Sequence, residues 1–124
     1  MKRGFTKTYR KEIDSDIWNM PPLYHRIFYY LRQKAKWQPE LFPTRKYLGI
    51  WIIPGQFITS IEMIAKGISW MEYGIEKSPN KKTVKVILDW LESNNMIQVV
   101  SNGLGTMINI INWDTYQAKE NEEE

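Results

Sequence analysis

A chain of 124 residues, 43% hydrophobic and 25% charged, has room for one globular domain with a core, and not for two. It has no cysteine, which excludes a disulfide framework, a thiolate metal site and a cysteine nucleophile, and its one histidine, His25, cannot build a multi-histidine metal centre. The net charge of +3 conceals a division: the segment from Glu120 to Glu124 holds four of the fourteen acidic residues, and without them seventeen basic residues face ten acidic ones, a balance of +7. An excess of that sign favours polyanions, nucleic acid above all.

Residues 1–12 are basic and mostly polar, with Lys2, Arg3, Lys7, Arg10 and Lys11 forming an arm and Phe5 and Tyr9 as anchors. Such an arm suits a phosphate backbone or a frayed terminus equally well. It lacks the apolar stretch of a signal peptide, and no later run approaches the ~18 residues that span a bilayer, so a cytoplasmic protein without a membrane partner is expected.

The pair Pro21-Pro22 marks a helix start, and Leu23, Ile27, Tyr30 and Leu31 continue at helical spacing, giving a helix over about 22–36 with His25 and Arg26 facing outward. Residues 37–45 read as a loop pinned by Phe42. From Tyr47 to Ile53 β-branched and aromatic residues predict a short strand, and Pro54-Gly55 a turn. Thr59-Ser60-Ile61-Glu62 reads as a capping box with Thr59 as cap, opening a helix whose buried face is Ile61, Ile64, Ala65 and Ile68. Residues 69–77 are too long for a tight helix-turn-helix turn and suggest an extra helical turn carrying Trp70 and Tyr73.

The next helix is the centre of the reading. Ser78 is placed as its cap and Pro79 at its first position. Val84, Ile87, Leu88 and Leu91 form one apolar stripe, with Lys82, Lys85 and Asp89 opposite and Lys81 at the flank. Three lysines in the first two turns oppose the partial positive charge of a helix N-terminus, and an anionic partner would relieve that conflict. Asn94-Asn95 ends the helix, and two strands follow, 96–100 and 107–113, around a turn with two glycines. A hairpin directly behind such a helix is the order of a winged helix-turn-helix, an α+β fold with three to four helices and a C-terminal wing.

Several stretches carry a family likeness: Ile17-Trp18, the run from Pro54 to Ser60, the run from Pro79 to Leu91, and Ile110-Ile111-Asn112-Trp113-Asp114-Thr115-Tyr116-Gln117. With these the chain resembles the N-terminal winged-helix domain of phage replisome organisers and DnaD-like primosome proteins of low-GC Gram-positive bacteria and their phages. The resemblance covers residues 4–117. It implies a domain over 1–117, with 118–124 as an acidic tail or the start of a linker. It also implies a role in DNA replication initiation: binding origin duplex DNA, or self-association, in the service of loading a replicative helicase. In that family a further C-terminal domain contacts the helicase loader or single-stranded DNA.

On this reading Asn80, Lys81, Lys82, Thr83 and Lys85 contact DNA, since asparagine pairs with adenine and lysine reaches guanine or phosphate. The wing tip, 102–106, has no Arg or Lys with which to read a groove. Trp51, Trp70 and Tyr73 are candidates for a protein interface, and Trp90 and Trp113 for packing. The alternative is a winged-helix interaction module, used for self-association or for holding a replication protein. No phosphate loop, nucleophile motif or metal constellation appears in the sequence, so no catalysis, cofactor or metal is expected.

Overall fold

The computed structural model describes residues 9–42, 50–102 and 105–116. Most of the basic arm, the start of the 47–53 strand, Gly103-Leu104 of the hairpin tip and the acidic tail lie outside the described residues. The described chain is α+β, with four helices and three antiparallel sheets.

Two 3-10 turns, Arg10–Asp14 and Asp16–Asn19, lead into helix α1, Pro22–Lys34. Pro22 fills a position whose N–H would be unused, so the helix starts without a side-chain cap. Its inner face buries Ile27, Phe28, Leu31 and Arg32. Beyond it, β1 (Glu40–Phe42) pairs with β2 (Ile50–Ile52), so part of the expected loop is a strand.

Pro54-Gly55 makes the expected turn: the Gln56 N–H donates to the Ile53 carbonyl at 3.1 Å, and Gly55 sits at φ +90°. Any side chain at Gly55 would also collide with Trp113, 2.9 Å from an ideal Cβ. Behind the turn lies β3 (Gln56–Thr59), where helix entry was expected. Phe57 and Thr59 alternate inward, and that period of two fixes a strand.

Helix α2, Ile61–Gly67, is capped by Ser60 and not by Thr59: the Ser60 Oγ accepts from the Met63 N–H at 3.1 Å, while Thr59 is buried in β3. Ile64, Ala65 and Ile68 are buried, as the spacing predicts. The segment behind α2 is not helical. It is a two-stranded ribbon, β4 (Trp70–Glu72) with β5 (Ile75–Lys77), closed by Tyr73 at φ +54° and Gly74 at φ +81°. Two positive φ values in a two-residue loop are the signature of a type I′ hairpin, whose twist matches that of its strands.

Helix α3, Lys81–Ser93, buries Val84, Ile87, Leu88 and Leu91, each worth about 2 kcal/mol of apolar transfer. Its end is a Schellman motif. The Met96 N–H donates to the Leu91 carbonyl (3.0 Å), the Asn95 N–H to that of Glu92 (3.1 Å), and Asn95 takes φ +60°. The chain then returns as β6 (Ile97–Asn102) and β7 (Gly105–Ile110). Strand β7 lies between β3 and β6, with Ile108 opposite both Phe57 and Val99. Asn112, at φ +62°, ends the extended run before Trp113, which was expected within the strand and instead opens a short helix α4, Trp113–Tyr116.

The core lies between this three-stranded sheet and the inner faces of α1, α2 and α3. Trp113 is buried, and Trp90 is partly buried with its ring edge-on to Tyr24 at 5.6 Å, so both tryptophans expected to pack do so. No described helix is long and apolar enough to cross a membrane.

Candidate nucleic-acid interface

The face of α3 turned from the core is built from its first two turns. Asn80, and not Ser78, is the cap: its Oδ1 accepts from the Thr83 N–H at 2.8 Å, and Pro79 precedes the helix by two residues. An asparagine oxygen held this way closes a free backbone donor. The Asn80 side-chain oxygen is therefore engaged at the helix start. Thr83 gives its N–H to that cap and keeps its hydroxyl at the surface.

The three lysines differ. Lys81 Nζ lies 3.2 Å from the Glu62 carboxylate of α2, and Lys85 Nζ lies 2.9 Å from Asp89, one turn along. Each of these four side chains is more than half exposed. Water screens such pairs, and they contribute only ~0.5 kcal/mol, so a phosphate can displace either carboxylate. Lys82 has no carboxylate partner among the described residues. It points from the middle of the outer face.

Val86, 52% exposed, lies one turn beyond Lys82 on the same strip. The sequence reading passed over it. The available signal was that valine here breaks the 84-87-88-91 stripe and sits among lysines. An apolar group in that place can meet a thymine methyl. Asp89, on the same strip, is an acceptor able to take a cytosine amino group.

The proposed protein-contact residues fall on two ribbons. Trp51 on β2 is 66% exposed. Trp70 and Tyr73 belong to β4–β5, where Tyr73 is 97% exposed. Arg26 is exposed, as expected, and its guanidinium also anchors the root of this ribbon, donating to the Ile68 (2.9 Å) and Ser69 (2.8 Å) carbonyls.

His25 is also engaged. Its Nε2 is hydrogen-bonded to the Glu12 carboxylate, and its ring meets Trp18 edge-on at 5.6 Å. Glu12 in turn faces the fully buried guanidinium of Arg32 at 3.4 Å. Arg32 was not singled out in the sequence. Phe28 and Tyr116 stack on it at 4.7 and 4.9 Å, while its Nε and Nη1 find no hydrogen-bond partner among the described residues. Burial raises the Tyr116 phenol above its ordinary 10.0; Arg32 opposes that shift, and Glu12 and Tyr9 add to it. The Tyr9 hydroxyl donates to the Thr115 carbonyl at 2.9 Å, the anchoring role expected of Tyr9. This cluster fastens the N-terminal segment to the end of the chain.

No family model, curated protein or solved structure matches the chain.

Proposed function

We propose that the chain is a winged-helix DNA-binding domain that grips duplex DNA through the outer face of α3, in the manner expected of a phage-type replication initiator. The observation that carries this reading is Lys82, free of a carboxylate among the described residues and set between Lys81 and Lys85 at the exposed start of a helix whose other side is core. The order α1, β3, α2, α3, β6, β7, with β7 between β3 and β6, supports it, since α3 then stands in front of a three-stranded sheet whose last two strands form a wing.

Binding proceeds by exchange of partners. DNA phosphates take the ammonium groups of Lys81 and Lys85 from Glu62 and Asp89, and Lys82 enters without losing a partner. Phosphate contacts by these side chains release counterions and set the position on the duplex. Val86 and Asp89 then face the base edges. The test is a mobility shift on duplex fragments of the protein's own coding region. The double variant Lys82→Ala, Lys85→Ala loses binding at low salt; unchanged affinity refutes the assignment.

The second reading is an interaction module for a second copy or for a replication protein. The exposed aromatics of the two ribbons favour it. Sedimentation of an oligomer whose profile DNA does not alter would select it over DNA binding.

A further inference from the structure

Strand β3 is an edge of its sheet, paired with β7 on one side. The Ile110 N–H donates to the Gly55 carbonyl at 2.8 Å, and in an antiparallel ladder every second residue repeats that exchange. Gly55, Phe57 and Thr59 therefore turn their backbone groups to β7, while Gln56 and Ile58 turn theirs to the open side. Gln56 is satisfied there: its carbonyl accepts from the Lys36 N–H at 3.0 Å, and its N–H donates to the Ile53 carbonyl. The Ile58 N–H and carbonyl have no partner among the described residues. They stand side by side as a free donor and a free acceptor, the pattern on which an added strand pairs.

This stretch of edge borders a groove of about 490 Å³ between the end of α1, the β1–β2 ribbon, β3 and α2. Tyr30, Leu41, Ile52 and Met63 supply its apolar lining. Lys34, Lys36 and Lys66 stand at the rim, and Glu40, 3.2 Å from Lys36, is the one carboxylate among the described lining residues. Three ammonium groups against one carboxylate leave the rim net positive. On a strand added beside Ile58, side chains opposite Phe57 and Thr59 point to the helix side, as those two do, and so reach Tyr30 and Met63. The residue between them, opposite Ile58, points the other way.

We propose that this groove is a docking slot for an extended peptide segment of another protein, one with two apolar side chains spaced two apart among aspartates or glutamates. The segment's backbone pairs with Ile58, its apolar side chains rest against Tyr30 and Met63, and its carboxylates meet the three lysines. A nucleic-acid strand suits the slot less well, because a phosphodiester backbone offers acceptors and no donor for the Ile58 carbonyl. The acidic stretch of this chain, residues 120–124, has the charge but no apolar side chain. The slot uses neither α3 nor the exposed aromatics of the two ribbons, so it goes beyond both readings above and depends on neither.

The test is an NMR titration of the isotope-labelled full chain with the peptide acetyl-Glu-Val-Glu-Val-Glu-amide. Binding saturates with a dissociation constant below ~1 mM, moves the amide signals of Ile58, Met63 and Lys66, and slows hydrogen exchange at the Ile58 N–H. Methylating the backbone nitrogen of the central glutamate removes the donor to the Ile58 carbonyl without touching the protein, and weakens binding at least about fivefold. Met63→Glu, and Lys34→Ala together with Lys66→Ala, all at exposed positions, weaken it by at least as much. Lys82→Ala with Lys85→Ala leaves it unchanged. The proposal is overturned if the peptide shows no saturation, if the methylated peptide or one with lysine for each glutamate binds as well as the parent, or if a short oligothymidylate takes the groove in preference. An oligomer of the chain that Met63→Glu dissolves assigns the groove to a second copy and equally overturns it. A chain that binds the peptide as described but no DNA contradicts the DNA reading alone.

Discussion

Asn80 shows how one side chain divides structural from recognition roles. As the cap of α3 it is replaceable by aspartate, which accepts the same N–H and suits the positive end of the helix. Asn80→Asp is therefore expected to keep or raise the melting temperature while weakening DNA binding, since it sets a negative charge beside Lys81 and Lys82. Asn80→Ala should lower stability by about 1 kcal/mol. Paired denaturation and binding curves check both. At the Arg32 cluster, Glu12→Ala leaves a buried guanidinium without its counter-charge and should cost about 3 kcal/mol in denaturant unfolding. Arg32→Met removes the charge with its need for a partner and should cost less. Tyr30 and Tyr116 both have phenols raised by burial. The folded state then resists ionisation that the unfolded state accepts, so the contribution of these two phenols to stability is level below about pH 10 and falls as the pH rises beyond it. Tyr116→Phe should make that alkaline decline shallower in pH-dependent melts.

At the scale of elements, α3 is the most legible part of the sequence. Its apolar stripe, the Asn94-Asn95 stop and the hairpin behind it all follow from spacing and turn chemistry. The cap slipped from Ser78 to Asn80 because Ser-Pro-Asn offers two good cap residues in three positions, and sequence alone does not say which backbone turns. Similarly, Thr59 and Ser60 are both competent caps, and pairing of β3 with β7 decides between them by drawing Thr59 into the sheet. The β4–β5 ribbon was illegible for a different reason. It buries nothing, so no inside-outside alternation betrays it, and its turn uses tyrosine where asparagine or glycine is usual. Gly67 was also opaque. An ideal Cβ there would lie 2.4 Å from the end of the Tyr30 ring, so α1 and α2 approach closely at this point. Gly67→Ala should destabilise the unaltered chain by about 1 kcal/mol through displacement of that ring, yet stabilise a Tyr30→Leu background, where helix propensity alone decides. A double-mutant cycle measures the change of sign.

On the scale of the whole molecule, the charge excess outside the acidic end becomes interpretable once placed. Lys81, Lys82 and Lys85 form one face, and Lys34, Lys36 and Lys66 another around the groove. The first face was legible in the sequence because its lysines are close along one helix. The second was not, since its lysines are distant in sequence and meet only through the packing of α1 on α2.

The account stands or falls on the α3 lysines. The direct measurement is the slope of log affinity against log salt for a short duplex. The unaltered chain should show a steep slope, and Lys82→Ala with Lys85→Ala should reduce its magnitude by about 1.8, two phosphate contacts at about 0.9 each. An identical slope in the two proteins would contradict it.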